Sequence, residues 1–160
     1  EHKHGAYCCM KPCLKTEADK KYLWDHLDYI DVIESDHAPH TREEKDGDPP
    51  PFGVPGLETT LPLMLQAEKD GKITKDQLHQ KLYENPKKIF NVKTSEDTKV
   101  EVATGEFELR NEDLKTKCGW SPFDGVEVPG KVSKVVLRGE TVYENGKILA
   151  KPGSGRVIGS

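Results

Sequence analysis

Three side chains that could bind a metal ion or transfer a proton lie within five positions of one another: Asp36, His37 and His40. They follow Tyr29–Ile33, whose apolar and β-branched residues predict a strand. A carboxylate and two imidazoles at the end of a strand can act as metal ligands or as general acid and base. The alternative is a polar turn in which Asp36 only caps the end of the strand.

A second group of potential ligands lies near the start of the chain: His2, His4, Cys8, Cys9 and Cys13. Thiolates and imidazoles bind zinc, so a small Cys/His zinc module is one interpretation. The spacing matches no standard zinc motif, because adjacent cysteines precede a gap of three residues. The four cysteines of the chain are too few and too clustered for a disulfide framework. Reduced thiols in a cytoplasmic protein are therefore the simpler interpretation.

The elements around these residues alternate between strand and helix. Ala6–Met10 is a short apolar stretch that ends before Pro12, which predicts a buried strand. Thr16 then predicts the N-cap of a helix, since acidic residues follow it in the first turn. With the second strand at Tyr29–Ile33, the order is typical of α/β proteins.

The segment Thr41–Gly56 is long and rich in proline and glycine. One interpretation is a flexible linker. Another is a functional loop at the end of a barrel strand, where active sites usually lie. A weaker third interpretation is a polyproline ligand, which would need only the residues around Pro49–Pro55.

Helices are predicted after this loop. Leu57–Lys69 has apolar residues at helical spacing. Thr74 and Gln77 form a potential capping box, and Asn85 before a proline predicts the start of a further short helix.

The pattern changes from helix to strand near residue 95. Polar and apolar residues alternate in the stretch around residues 98–109, as in a half-exposed strand. Asn145-Gly146 is a strong hairpin signal. We therefore predict an α/β portion at residues 1–94 and a strand-rich accessory segment with a tail at residues 95–160.

The overall composition narrows the class of protein. The chain has 160 residues, of which 32% are charged, with a net charge of −4. This acidic balance argues against a nucleic-acid partner, which usually meets a basic surface. No apolar run is long enough to span a membrane, and no signal peptide is visible. Because residue 1 is Glu, we expect a piece of a longer chain.

Five segments form a recognisable series along the chain: KPCL (Lys11–Leu14), IESDHAPHT (Ile33–Thr41), FGVPGLETTLPLML (Phe52–Leu65), ENPKKIF (Glu84–Phe90) and SPFDGVEVPGKVSKVVLRGETVY (Ser121–Tyr143). Together they resemble the C-terminal part of dihydroorotase, a family of the amidohydrolase superfamily. The resemblance is closest to the form within the eukaryotic multifunctional protein that also carries carbamoyl-phosphate synthetase and aspartate carbamoyltransferase. It covers nearly the whole chain and is weakest at residues 1–9 and 96–119.

The resemblance implies an α/β fold. In this family a TIM barrel carries a small β-sandwich, and such a barrel needs about 250 residues. This chain would be the C-terminal fragment of the barrel, its last two βα units, followed by sandwich strands. The implied reaction is the reversible cyclisation of N-carbamoyl-L-aspartate to dihydroorotate in pyrimidine biosynthesis. Two zinc ions activate a hydroxide for this reaction in the family.

The resemblance implies roles for Asp36 and His37. Asp36 matches the family aspartate that binds zinc and acts as general base and acid. A short carboxylate at a strand end suits both tasks. His37 follows it directly and is interpreted as orienting Asp36 by a hydrogen bond rather than as a ligand.

Four further residues match positions that contact substrate in the family. His40 would help to hold the substrate carboxylate, and the alternative is a surface histidine. Lys11 stands where arginine is common, a departure that matters if the contact is bidentate. Phe52 and Gly53 would offer main-chain groups to the substrate ring, with ordinary loop residues as the alternative.

The resemblance also implies groups that this chain lacks. An HxH pair, a carboxylated lysine, two more histidines and a substrate-binding arginine come from earlier strands in the family. His2 and His4 match the HxH pair by letter only. The implied partners are the upstream half of the barrel and a second copy in a homo-oligomer, and fused synthetase and carbamoyltransferase domains remain open.

The sequence is also compatible with other functions. The chain could be a catalytically degenerate scaffold with the same fold, or part of another cyclic amidohydrolase of the dihydropyrimidinase type. The Cys/His module is a third possibility, and it predicts one tightly bound zinc ion per chain.

Overall fold

Five short α-helices are followed by one antiparallel sheet in the computed structural model, which describes residues 5–157. His2 and His4 therefore lie outside the described residues. The helices are α1 (Glu17–Asp25), α2 (Arg42–Lys45), α3 (Thr60–Lys69), α4 (Lys75–His79) and α5 (Asn85–Ile89). The strands are β1 (Lys99–Glu108), β2 (Glu127–Leu137), β3 (Glu140–Glu144) and β4 (Lys147–Ile148). Single 3₁₀ turns occupy Gly5–Cys8, Leu27–Tyr29 and Asn111–Asp113.

The two strands predicted in the first third of the chain are not formed. Most of Ala6–Met10 lies in a 3₁₀ turn, and a second 3₁₀ turn ends at Tyr29. Ile30 is extended, but the N–H of Ile33 donates to the carbonyl of Lys81 (3.2 Å), which lies in a helical turn. A strand needs a hydrogen-bonded neighbour, and the described residues give this segment none.

The predicted helix starts are confirmed where they depend on side-chain caps. Thr16 and Asp19 form a reciprocal capping box at α1, and Thr74 and Gln77 form another at α4. Asn85 is not a cap, because a π-helical turn at Gln80–Glu84 joins α4 to α5 without a break. Its side chain instead donates to the carbonyl of Asp31 (2.8 Å).

Packing of α1, α3 and α4 forms the apolar core of the helical portion. Its buried members are Leu27, Ala67 and Ile73, and the partly buried residues around them are Trp24, Ile30, Ile33, Met64 and Leu78. On another side α3 meets the sheet at Gly130. A Cβ at this glycine would lie 3.1 Å from Ala103 O and 3.2 Å from Leu65 Cδ1, so a larger residue there would require these neighbours to shift by a few tenths of an ångström.

The sheet has the strand order β1-β2-β3-β4, with every neighbouring pair antiparallel. Asn145 (φ 47°) and Gly146 (φ 81°) form the turn between β3 and β4. Positive φ at both turn positions is the geometry that Asn-Gly favours, so the predicted hairpin is confirmed. All four of these strands lie between residues 99 and 148, in the part of the chain that was predicted to be rich in strands. Within residues 5–157, no helix has the length and apolarity needed to cross a membrane.

Candidate functional site

Asp36 adopts an uncommon backbone conformation at an exposed position. Its φ is +42°, in the left-handed region, and its N–H donates to the carboxylate of Glu34. A non-glycine residue in this region costs about 1–2 kcal/mol. Such conformations concentrate at functional sites, where the surrounding structure stabilises them. Asp36 is therefore an exposed residue whose backbone conformation is of the kind found at functional sites.

His37 connects the segment of Asp36 to the far end of the loop. Its Nδ1 accepts the N–H groups of Gly56 (3.2 Å) and Leu57 (3.1 Å), so a neutral ring carries its proton on Nε2. The sequence analysis predicts a hydrogen bond between His37 and Asp36. In the structure the His37 ring instead accepts hydrogen bonds from the backbone of Gly56 and Leu57, at the end of the loop. A Cβ at Gly56 would lie 2.6 Å from the carbonyl oxygen of Ser35, so this approach requires glycine.

His40 contacts the loop at Phe52. Its Nε2 lies 3.1 Å from the carbonyl oxygen of Phe52, and its Nδ1 lies 3.5 Å from the Glu44 carboxylate. Because a carbonyl only accepts, Nε2 carries the proton in this contact. The backbone carbonyl of His40 accepts the indole N–H of Trp120 (2.7 Å). Both the ring and the backbone of His40 are therefore held in place.

Lys11 and Gly53 lie beside Phe52, whose carbonyl contacts His40. The Lys11 ammonium is 4.2 Å from the centroid of the Phe52 ring, a cation–π contact at an exposed position. Gly53 has φ +129°, and a Cβ there would lie 2.6 Å from the carbonyl oxygen of Ala38. Only glycine allows this approach.

Two adjacent segments thus carry most of the predicted site residues. Residues 36–40 run beside residues 52–56, joined by a bridge between His37 and Val54 and by the bond from Ala38 N to Val54 O (3.1 Å). The structure brings His40, Phe52, Gly53 and Lys11 together, with Asp36 at the near end of the same segment. Their individual roles stay predictions.

The proline-rich loop is folded and is not a flexible linker. Thr41 and Glu44 form a capping box at the start of α2, and this box positions Lys45 at the end of the helix. The Lys45 side chain is fully buried, and its ammonium donates to the carbonyls of Cys9 (3.2 Å), Pro51 (2.8 Å) and Gly53 (3.1 Å). Sequence reasoning missed this residue because lysine is rarely buried.

Trp120 is a second residue that sequence reasoning missed. It is 1% exposed, and its ring packs edge-on against Tyr7 with centroids 4.9 Å apart. Next to it, the Gly119 carbonyl accepts a hydrogen bond from the Arg42 guanidinium (2.8 Å). This contact region attaches the loop to the segment that precedes β2. A lone tryptophan in a polar stretch was the available signal, since tryptophan is highly buried on average.

The Glu58 side chain connects the residues just before α3 to the segment that precedes β2. Its carboxylate accepts the N–H groups of Lys115 (2.9 Å) and Thr116 (2.7 Å) and the Thr116 hydroxyl. Partial burial opposes ionisation, but the hydrogen bonds from Thr116 and Lys115 outweigh it and hold the pKa of Glu58 below its ordinary value. The carboxylate form is therefore the one that the fold requires.

Replacing Glu58 by Gln in the complete protein should lower the free energy of unfolding by about 1–2 kcal/mol at neutral pH. The charged hydrogen bonds are lost, and partial exposure screens part of their value. A carboxyl whose pKa is lowered by folding stabilises above its unfolded pKa, and this stabilisation is lost as pH falls through the folded pKa. Urea unfolding at a series of pH values should thus show the difference between Glu58→Gln and wild type shrinking below about pH 4. A difference independent of pH would contradict this assignment.

The cysteines near the start of the chain do not form a metal centre in the part that the structure describes. Among residues 5–157, no group of three or more His, Cys, Asp or Glu side chains could hold a metal ion. Burial raises the pKa of the Cys8 thiol, and the nearby Lys45 only partly opposes this. A raised pKa favours the inert thiol over the thiolate that binds zinc.

The same finding limits the metal chemistry at Asp36. One exposed carboxylate supplies one ligand, and a hydrolytic metal site needs about three protein ligands with an open position. The residues described here do not by themselves form such a site, so no catalytic step is assigned to a bound metal.

Comparison with solved structures defines the class of protein. L-hydantoinase (dihydropyrimidinase) from Arthrobacter aurescens matches with a TM-score of 0.88 and 26% identity, over 96% of this chain and 38% of that chain. The inactive dihydroorotase-like domain of the Chaetomium thermophilum CAD-like multifunctional protein matches with a TM-score of 0.66 and 28% identity, over 89% of this chain and 41% of that one. The chain is thus similar in fold to part of TIM-barrel amidohydrolases, and its own sheet is antiparallel.

Curated sequences narrow the class further. Dihydroorotase from Pyrococcus furiosus is 40% identical over 155 residues, which are 92% of this chain and 37% of that protein. Multifunctional protein pyr1-3 from Dictyostelium discoideum is 50% identical over 147 residues, and multifunctional protein CAD from Squalus acanthias is 48% identical over 150 residues. No family model matches. The resemblance to dihydroorotase predicted from the sequence is therefore confirmed: the chain is similar to an archaeal dihydroorotase over 92% of its own length.

The chain spans only part of these relatives. It covers 37% of the archaeal dihydroorotase and 7% of each multifunctional protein.

Proposed function

We propose that this chain is the C-terminal part of a zinc-dependent dihydroorotase. The complete protein would interconvert N-carbamoyl-L-aspartate and dihydroorotate in pyrimidine biosynthesis. The observation that carries this proposal is the similarity to dihydroorotase over 92% of the chain. The arrangement of residues 36–40 beside residues 52–56 supports it, since most of the predicted site residues lie on these two joined segments.

Asp36 would move the proton in this reaction. Ring opening leaves a nitrogen that must gain a proton, and ring closure requires that nitrogen to lose one. The exposed carboxylate at the left-handed position is free to approach such a nitrogen. Asp36 would also be one ligand of a two-zinc site completed by other parts of the protein. Zinc, when bound, polarises the amide carbonyl and activates water.

The residues beside Asp36 would bind the substrate. The substrate carries a carboxylate, which the ammonium of Lys11 can attract. The imidazole of His40 would join it by turning its Nε2–H from the Phe52 carbonyl to the substrate. The backbone at Phe52 and Gly53 would face the ring amide. We propose His37 as a residue that fixes this backbone, because its Nδ1 accepts the N–H groups that follow Pro55.

The wider organisation is also part of the proposal. Residues 1–94 would complete the barrel with its last two βα units, and residues 95–160 would supply sandwich strands and a tail. The upstream half of the barrel and a second copy of the chain would be its partners, in the cytoplasm. The similarity to multifunctional proteins supports a fusion with carbamoyltransferase and synthetase domains.

The test is substrate preference in the complete protein. We expect ring opening of dihydroorotate with a kcat/KM at least about 100-fold above that for dihydrouracil, which lacks the carboxylate. Absorbance of the cyclic amide follows both reactions. A preference for dihydrouracil would assign the chain to a dihydropyrimidinase, the alternative that the hydantoinase fold supports.

His40→Ala should reduce that preference. Loss of one contact to a carboxylate costs about 1.5–3 kcal/mol, so kcat/KM for dihydroorotate should fall by about 10- to 100-fold. The rate with dihydrouracil should change little, and zinc per chain should stay constant. A variant that loses its metal would show that His40 is a ligand.

A second candidate is a non-catalytic scaffold. It is favoured by the match to an inactive dihydroorotase-like domain, which shares the fold at 28% identity. This candidate predicts that the complete protein opens neither ring, although it folds and assembles normally.

A further inference from the structure

Among residues 5–157, Lys45 and Lys81 are buried lysines that donate to backbone carbonyls, and Lys45 is the one that contacts the loop at Pro51–Gly53. Lys45 contacts the carbonyls of Cys9, Pro51 and Gly53. Lys81, which is 6% exposed, donates to the carbonyls of Leu27 (2.7 Å) and Ile30. We propose that Lys45 is a positioning residue that fixes the Pro51–Gly53 backbone for substrate binding, and this inference rests on the proposed function.

The ammonium of Lys45 is fully used in these contacts. It has three N–H donors, and three carbonyl oxygens lie within 3.2 Å. It therefore has no free donor for a substrate and cannot act as a nucleophile. Its cost of burial is offset by these three bonds and by the Trp120 ring, whose centroid is 5.8 Å away. The residue acts through the backbone that it holds.

The three carbonyls belong to the backbone around the predicted substrate contacts. Pro51 and Gly53 flank Phe52, and the carbonyl of Phe52 contacts the ring of His40. The Cys9 carbonyl also accepts the N–H of Gly53 (3.0 Å). Cys9 lies two residues before Lys11, whose ammonium covers the Phe52 ring. One buried nitrogen thus fixes the relative positions of three groups that we propose to contact substrate.

This arrangement predicts a specific kinetic signature in the complete protein. Lys45→Met keeps the length of the side chain but leaves three carbonyls without a donor, so the loop backbone relaxes. A displacement of about 1 Å at a binding group can cost on the order of 100-fold. We expect KM for dihydroorotate to rise about 10- to 100-fold while kcat changes by less than about threefold, because Lys45 does not contact Asp36.

Lys81→Met is the matched control. It also removes a buried ammonium from backbone carbonyls, so it should destabilise the protein to a similar degree. Its KM for dihydroorotate should stay within about twofold of wild type, since Lys81 contacts no part of residues 51–53. Equal KM increases in both variants would mean that general destabilisation is the cause, and this would overturn the proposal.

Hydrogen exchange gives a readout that does not depend on activity. The amide of Gly53, which donates to Cys9 O, should exchange at least about tenfold faster in Lys45→Met and at an unchanged rate in Lys81→Met. Unchanged exchange in Lys45→Met would overturn the proposal. If wild type opens no dihydroorotate ring, the proposed function fails, whereas the exchange rates still decide whether Lys45 fixes this backbone.

Lys45→Arg is the second variant if Lys45→Met does not fold. It keeps the positive charge, but a planar guanidinium cannot match three carbonyls grouped around one nitrogen. We expect a smaller KM increase of about three- to tenfold, together with faster exchange of the Gly53 amide. Wild-type KM and exchange in Lys45→Arg would contradict the requirement for an ammonium.

Discussion

Replacing Asp36 by Asn in the complete protein should lower kcat by about 10³-fold or more. Asparagine keeps the shape of the side chain and tolerates the left-handed backbone at φ +42°. It cannot accept and return a proton at neutral pH, and loss of a general acid–base group typically costs 10²–10⁴-fold. Steady-state ring opening of dihydroorotate measures the loss, and circular dichroism checks the fold.

Asp31→Asn is the control for this substitution. Asp31 is exposed on the same segment, and its backbone carbonyl rather than its carboxylate receives the hydrogen bond of Asn85. Its kcat should stay within about twofold of wild type. Retention of more than a tenth of wild-type turnover in Asp36→Asn would remove the proton-transfer role from this residue.

Residues 1–160 alone should show no ring opening of dihydroorotate, even with added zinc. Asp36 is the one metal ligand that we propose within this chain, and a single exposed carboxylate holds zinc weakly. By the same proposal, the segment Ile30–Ile33 would need neighbouring strands from the upstream half of the barrel to become a barrel strand.

The isolated chain should also associate with itself. Several large apolar side chains are exposed, among them Tyr29 (86%), Leu57 (66%) and Phe90 (70%). Exposed apolar surface of this kind promotes association, as do unpaired sheet edges such as that of β1. Light scattering of the fragment alone, and of the fragment mixed with the upstream half, measures this effect.

Complementation separates the possible outcomes. Activity that arises only when the upstream half is added would support the placement of this chain at the end of a dihydroorotase barrel. Activity of the isolated, monomeric chain would contradict that placement. A catalytically degenerate scaffold would show reduced scattering on mixing but no ring opening.

The sequence by itself determined the features that depend on neighbouring residues. The N-cap at Thr16, the capping box at Thr74 and the Asn145-Gly146 turn involve groups at most three positions apart, so their chemistry is visible in the order of residues. The resemblance to dihydroorotase likewise depends on the letters of five segments. Local interactions of this kind require no knowledge of distant partners.

Only the tertiary structure decided which distant groups meet. The strands predicted at Ala6–Met10 and Tyr29–Ile33 are absent because a strand depends on a partner that local sequence cannot specify. From the sequence, Lys45 would be expected at the surface, yet it is buried and donates hydrogen bonds to carbonyls up to 36 positions away. The indole of Trp120 donates to a carbonyl 80 positions away. The free energy of burying a charge or an indole depends on these long-range acceptors, and residue type alone does not reveal them.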